Sequence, residues 1–401
     1  MSVKKVIYVI LFLILATNFT TSSYYIMFII VSLVVGVVVS RRMNFPLYLK
    51  EDYIAFSFLA VWGYGFIMGL IRGNNPAYVC SNFAGMICYV FYFYLIYIKA
   101  DLRSLSKIII SAGILLSCIS ILRLFSYVFG VSIPLIAGDV GISSTGQLRV
   151  YFSTLCVSYS ALGISFYALL NKKYIPQDSI LKNRILALLI FTLATASLFF
   201  IASSKGFLLG GIATIFIIIV ALYSKRIIKG KIPYSLMPII ILIAIIFGFL
   251  VYLDYFSIFE MMFNAEDSSN KVRYDQLTYL IDDINLLGNG LGAVIPGVIR
   301  SDEGPYGFEL TYINLIHKFG VFSLVLFGNW IYMFFSLFKK ILTRTHVFYS
   351  IIAVSALGYL FPSIGNPLLM HPSLVILNSI VLYYIRVINN EKKNFRMHGC
   401  L

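Results

Sequence analysis

The chain has 401 residues, of which 60% are hydrophobic and 12% charged, with a mean hydropathy of +0.92. Soluble domains carry about twice that charged fraction, and apolar runs of span length recur from end to end, which excludes an ordinary soluble globule. The formal net charge of +15 does not imply nucleic acid, because its distribution is topological.

In chain order the apolar runs predict twelve spans, near 6–20, 24–40, 53–71, 78–98, 108–129, 150–170, 185–202, 207–223, 236–254, 318–338, 346–361 and 373–388. Hydrophobicity within them is continuous rather than alternating, which argues against an outer-membrane barrel. A lipid-facing backbone must satisfy its own hydrogen bonds, so the expected fold is an all-α polytopic integral membrane protein. Lys4-Lys5 and the first run resemble a signal peptide, but no small-residue cleavage site follows, and the run reads as a retained helix. Cys80, Cys88, Cys118, Cys156 and Cys400 have neither metal nor disulfide spacing.

Placing the amino terminus in the cytoplasm puts every basic residue on cytoplasmic segments except Arg72, Arg123, Arg149, Lys205, Lys271, Arg273, Arg300 and Lys318. Both termini are then cytoplasmic and the 255–308 loop is external, which means periplasmic in a Gram-negative cell. Three regions follow: nine spans over 1–254, a polar external loop over 255–308, and the last spans with a cytoplasmic tail over 309–401. The loop holds Glu260, Glu266, Asp267, Asp275, Asp282, Asp283, Asp302 and Glu303. Within it Val272, Leu277, Leu280, Ile281 and Ile284 predict an amphipathic helix over about 271–285, broken by Gly288-Asn289-Gly290-Leu291-Gly292.

Cations on the outer side work against the topological bias and so call for a reason. Arg72 sits in an outer turn, Arg123 inside the fifth span, Arg149 at the start of the sixth, Lys205 at a span junction and Arg273 at the head of the loop helix. Together they fit an outward-facing basic cavity for a pyrophosphate, which guanidinium forks bind bidentately. Arg72 and Arg149 equally fit side chains that snorkel to headgroups, and Arg300 fits a solvated loop residue. Charge inside a span is costly and tends to face a cavity, which favours a role for Arg123. Asp282 and Asp283 are adjacent on a helix and point apart, so they are no metal pair. The glycine run lacks the context of a nucleotide fingerprint and reads as a tight turn, with an anion-binding nest as the alternative. His317, His346, His371 and His398 show no metal-ligand spacing.

The ordered set of motifs from about 200 to 385 resembles the superfamily of O-antigen polymerases and O-antigen ligases, bacterial membrane glycosyltransferases. The motifs are Ser203-Ser204-Lys205-Gly206, Lys271-Val272-Arg273-Tyr274, the Gly288/Gly290/Gly292 turn, the run Glu309 to Gly320, and Asn366-Pro367. Ligases of this superfamily carry histidine and a polar neighbour where this chain has Glu309-Leu310, and that departure favours a polymerase. The resemblance implies transfer of a growing glycan from undecaprenyl pyrophosphate to a new lipid-linked repeat unit. Its implied partners are that lipid-linked oligosaccharide donor and acceptor, membrane lipid and a chain-length regulator protein, with no metal, cofactor or nucleic acid. On this reading Arg273 and Glu309 are catalytic, while Lys205, Arg123, Arg72, Arg149 and Tyr274 bind pyrophosphate or glycan. A ligase or capsule polymerase of the same superfamily, and a lipid-linked oligosaccharide flippase or other transporter, are the alternatives.

Overall fold

The structure is a computed structural model and describes residues 3–16, 49–131, 139–142, 148–171, 173–177, 179–202, 204–227, 268–297 and 306–398. Two expected spans, 24–40 and 236–254, lie outside these residues, as do Arg300, Asp302 and Glu303. By helix length and composition the chain is a multi-pass membrane protein. Among the described residues, nine helical segments are long and apolar enough to cross a bilayer, and they match nine of the twelve expected runs.

The helices are α1 (Val3–Ala16), α2 (Lys50–Ile71), α3 (Pro76–Ala84), α4 (Val90–Tyr97), α5 (Leu102–Val128), α6 (Ser158–Leu170), α7 (Arg184–Thr195) and α8 (Lys205–Ile227). They continue as α9 (Ser268–Asp282), α10 (Thr311–Phe319), α11 (Ser323–Leu342), α12 (Val347–Ala356) and α13 (Pro372–His398). Short polar caps start several of them. Asn75 Oδ1 accepts from Ala77 N ahead of α3, Asp101 Oδ2 from Ser104 N ahead of α5, and Asn183 Oδ1 from Ile185 N ahead of α7. Each satisfies an amide that the first helical turn leaves without an intrahelical acceptor.

Helices α6, α12 and α13 form the centre of the bundle, and α7, α8 and α11 lie outside with much of their surface facing outward. Small residues let the central helices close. A Cβ on Gly113 of α5 would come within 3.0 Å of Val157 O, and one on Gly163 of α6 would overlap Ser355 of α12. Buried serines stitch the same contacts, with Ser117 donating to Ser158 at 3.1 Å and Ser120 meeting Ser197 at 2.6 Å. Each such bond adds about 0.6 kcal/mol between membrane helices.

One departure from helix among the described residues is a hairpin of β1 (Asp139–Ile142) and β2 (Leu148–Tyr151), paired antiparallel with Arg149 opposite Gly141. The expected sixth span starts too early in consequence. Arg149 belongs to β2, and the span runs from Ser153. The β-branched and aromatic residues Val150 and Tyr151 suit a strand as well as a span start. A second correction concerns the tenth span, expected over 318–338. Gly320 adopts φ +55 and separates α10 from α11, so that run is broken near its start.

The bundle has two distinct ends. At one, Lys4 donates to Lys99 O, Tyr8 accepts from Asp101 N, and Arg386 pairs with Asp52 at 2.9 Å. Tyr92 and Tyr332 donate to Asp52 and Glu51 there. The opposite end, here the loop side, gathers the turn after Arg72, the start of α8, α9 and the turn at Asn366. Lys4, Lys99 and Arg386, which charge assigns to one side of the membrane, lie at the first of these ends.

Candidate functional site

The loop-side site is built where three chain segments meet. Before α8 the chain runs through a π-helical turn, Ala196–Ile201, a geometry that recurs at functional sites because it re-aims the following residues. Helix α8 then opens with Lys205. Gly206 lets this turn press on the Pro362 turn, since a Cβ there would sit 2.6 Å from Pro362 Cα. Lys205 Nζ donates to Asn270 Oδ1 at 3.1 Å, which links the junction to the first turn of α9.

One turn further along α9, Arg273 Nε lies 2.7 Å from Glu309 Oε2, with the two side chains 29% and 13% exposed. One turn beyond that, the buried Gln276 accepts the backbone N–H of Glu309 through Oε1 at 2.9 Å. Asn270, Arg273 and Gln276 follow the three-residue spacing that shares a helix face. Gly365 borders the guanidinium, and a Cβ there would stand in ordinary contact at 3.5 Å from Arg273 Nε. Glu309 precedes α10, whose Thr311 donates to Asn366 O and whose Tyr312 donates to Leu360 O at 2.6 Å. At the far end of α9, Asp283 Oδ2 meets His317 Nε2 at 2.8 Å. Helices α9 and α10 are therefore clamped side by side at two points, and the Arg273–Glu309 contact is held from both sides.

The glycine run is a packed structural element. Gly288, Gly290 and Gly292 have φ of +78, +77 and +71. An added Cβ on Gly290 would come within 2.2 Å of Gly69 N, and on Gly288 within 2.4 Å of Lys318 O. Its amides are spent on protein acceptors. Asn289 N and Gly290 N donate to His317 O and Lys318 O at 2.9 Å, and Leu291 N donates to Gly65 O at 2.8 Å. Gly292 N donates to Asn82 Oδ1 at 3.1 Å. This turn has no amides left over for an anion nest. The buried Lys318 completes the anchorage, donating to Asn82 Oδ1 at 2.7 Å and to Tyr306 O at 3.0 Å.

Of the residues expected at the site, the structure brings together Lys205, Arg273 and Glu309. Arg72 caps α2 and is exposed beside the Asn74 turn. Arg149 is exposed on β2. Arg123 lies in α5, one turn from Ser120 and its partner Ser197 of the π-helical turn, with its Nε buried. Tyr274 is 71% exposed and points away from Glu309's partner on the helix. Asn270, Gln276, Asp283, His317, Lys318 and Asn82 were not singled out as site residues. Gln276 carried a local signal, as a polar residue on the apolar face of an amphipathic helix, and Lys318 carried one as an outer-side cation. Among the described residues no group of three His, Cys, Asp or Glu side chains could hold a metal ion. No protein-family model matches the chain, and no curated protein is significantly similar to it.

Proposed function

We propose that the protein is a surface-polysaccharide polymerase of the O-antigen type, a metal-independent glycosyltransferase acting at the outer face of the bacterial inner membrane. The observation that carries this reading is the Arg273–Glu309 contact on the loop side, with Lys205 tied to the same helix through Asn270. A carrier pyrophosphate needs fixed cations at the membrane surface, and a sugar hydroxyl needs a carboxylate to take its proton. In the proposed reaction the acceptor hydroxyl attacks the anomeric carbon of the growing glycan. The bond from that carbon to the pyrophosphate oxygen breaks, the carrier pyrophosphate leaves against Arg273 and Lys205, and Glu309 receives the proton. In the resting protein the ion pair keeps both groups oriented. A bound pyrophosphate draws on the guanidinium and leaves the carboxylate for the hydroxyl.

The donor and acceptor are lipid-linked oligosaccharides, presented from the bilayer, and a chain-length regulator is the expected protein partner. Both termini are cytoplasmic on the charge argument. A ligase or capsule polymerase would use the same cations with a different acceptor. A flippase does not account for a polar loop as long as 255–308 on one side alone. The surface polysaccharide of a deletion strain tests the reading. A single repeat unit on the lipid core is expected, and loss of the whole repeat, as for a flippase or ligase, would overturn it.

A further inference from the structure

Beyond the end of α9, the loop carries Ile284, Leu286 and Leu287, which are 42%, 75% and 49% exposed. Beside them Val321, Phe322 and Leu324, around the head of α11, are 46%, 38% and 63% exposed. Backbone hydrogen bonds fix the depth of this stretch. Leu286 O accepts from Val321 N at 2.9 Å, Leu287 O accepts from Tyr64 OH at 2.6 Å, and Leu291 N donates to Gly65 O at 2.8 Å. Gly65 lies six residues inside the loop-side end of α2, about 9 Å along the helix axis. Helix α11 has 20 residues. That length is about 30 Å, the thickness of the hydrocarbon core, so the head of α11 stands at the hydrocarbon boundary.

Aliphatic side chains of a polar loop are thus exposed at the level where the neighbouring helices face lipid. Non-helical backbone is tolerated at that depth only when its polar groups are satisfied by protein. Here they are: the amides of 289–292 and the carbonyls of Leu286 and Leu287 all have protein partners. The polar side chains are also occupied, with Asn285 Oδ1 accepting from Leu287 N and Asn289 Nδ2 donating to Asp283.

We propose that residues 284–292 form a re-entrant peg, with Ile284, Leu286 and Leu287 resting against the phospholipid acyl chains of the loop-side leaflet. The exposed carboxylates Asp282 and Asp283 precede the peg and stay on its water side. The peg leashes α9 to the membrane surface, so the loop is no freely tumbling domain. This holds whatever reaction the protein performs.

Tryptophan fluorescence in liposomes tests the proposal. Trp62 and Trp330, the two native tryptophans, are 2% and 6% exposed, so each variant is read as its difference from the parent. Full-length protein carrying Leu286→Trp is compared in lipids brominated midway along the acyl chain and in unbrominated lipids. Leu324→Trp serves as the lipid-facing reference and Asp275→Trp as the water-facing one. Leu286→Trp is expected to lose emission in brominated lipid to the extent Leu324→Trp does, and to resist aqueous acrylamide. Quenching by acrylamide like that of Asp275→Trp would overturn the proposal, and so would shielding from both quenchers, which marks cover by a second chain. If Leu286→Trp fails to accumulate, Leu287→Trp and Ile284→Trp are read against the same two references.

Discussion

Arg273 meets Glu309 through Nε at 2.7 Å, while Gln276 of the same helix holds the Glu309 backbone at 2.9 Å. This ion pair is part-buried, so its attraction is largely offset by the cost of taking both groups out of water, and its value lies in orienting the two groups.

Replacing Arg273 by alanine should leave an inserted protein that adds repeat units far more slowly and makes shorter chains. Loss of a charge-assisted contact to the leaving pyrophosphate costs about 1.5–3 kcal/mol of transition-state stabilisation, roughly ten- to hundredfold in rate. Arg273→Lys should recover part of the activity, because lysine supplies charge without the bidentate fork. Polysaccharide ladders at matched expression are the measurement, and wild-type chain lengths in Arg273→Ala would remove Arg273 from the mechanism.

Glu309→Gln separates chemistry from placement. The Gln276 contact is made to the Glu309 backbone and survives the substitution. A proton acceptor is lost, and general-base catalysis is worth about 10²–10⁴ in rate. Single repeat units with normal protein levels are expected. A normal ladder would assign Glu309 to orientation of Arg273 alone.

Much of the architecture could be read from the residues, because hydropathy is a local property. Nine spans, the loop helix and the break at the glycine run all followed from it. Arg149 misled because a β-branched and aromatic run suits both a strand and a span. Within α9 the pattern located the helix, but Val272 and Ile281 are 42% and 52% exposed while the polar Gln276 is buried. The periodicity identifies an apolar face but not what covers it. Asp283–His317 and Lys318–Asn82 are pairings across 34 and 236 positions, and no local pattern announces such contacts. The glycines read as a turn. That the turn is wedged against Gly65 and Gly69 depends on a helix more than two hundred residues earlier in the chain.

Two glycine substitutions test the wedge. Gly290→Ala adds a Cβ at φ +77 that overlaps the backbone of Gly69, whereas Gly297→Ala adds one at φ +82 into open space. The backbone strain is shared, about 1–2 kcal/mol for a left-handed alanine. Gly290→Ala should therefore lower the melting temperature in detergent clearly more than Gly297→Ala. Equal losses would mean that the close approach to α2 contributes nothing.

His371, in the turn ahead of α13, should make stability depend on pH. Burial pushes its imidazole down from 6.5 to about 4. Below pH 6.5 the unfolded chain takes up the proton first, so stability present at neutral pH is lost as pH falls toward 4, by up to about 3 kcal/mol. Thermal melts at pH 7 and pH 5 should differ, and His371→Gln should reduce the difference. An unchanged pH dependence in His371→Gln would contradict the assignment.

On the proposed reading the loop-side cluster forms glycosidic bonds rather than moving a substrate. Purified protein in liposomes, supplied with undecaprenyl-pyrophosphate-linked repeat units and without ATP or an ion gradient, measures this directly. A ladder of longer lipid-linked glycans is expected, much shortened with Arg273→Ala. Repeat units that cross the bilayer but never lengthen would contradict it.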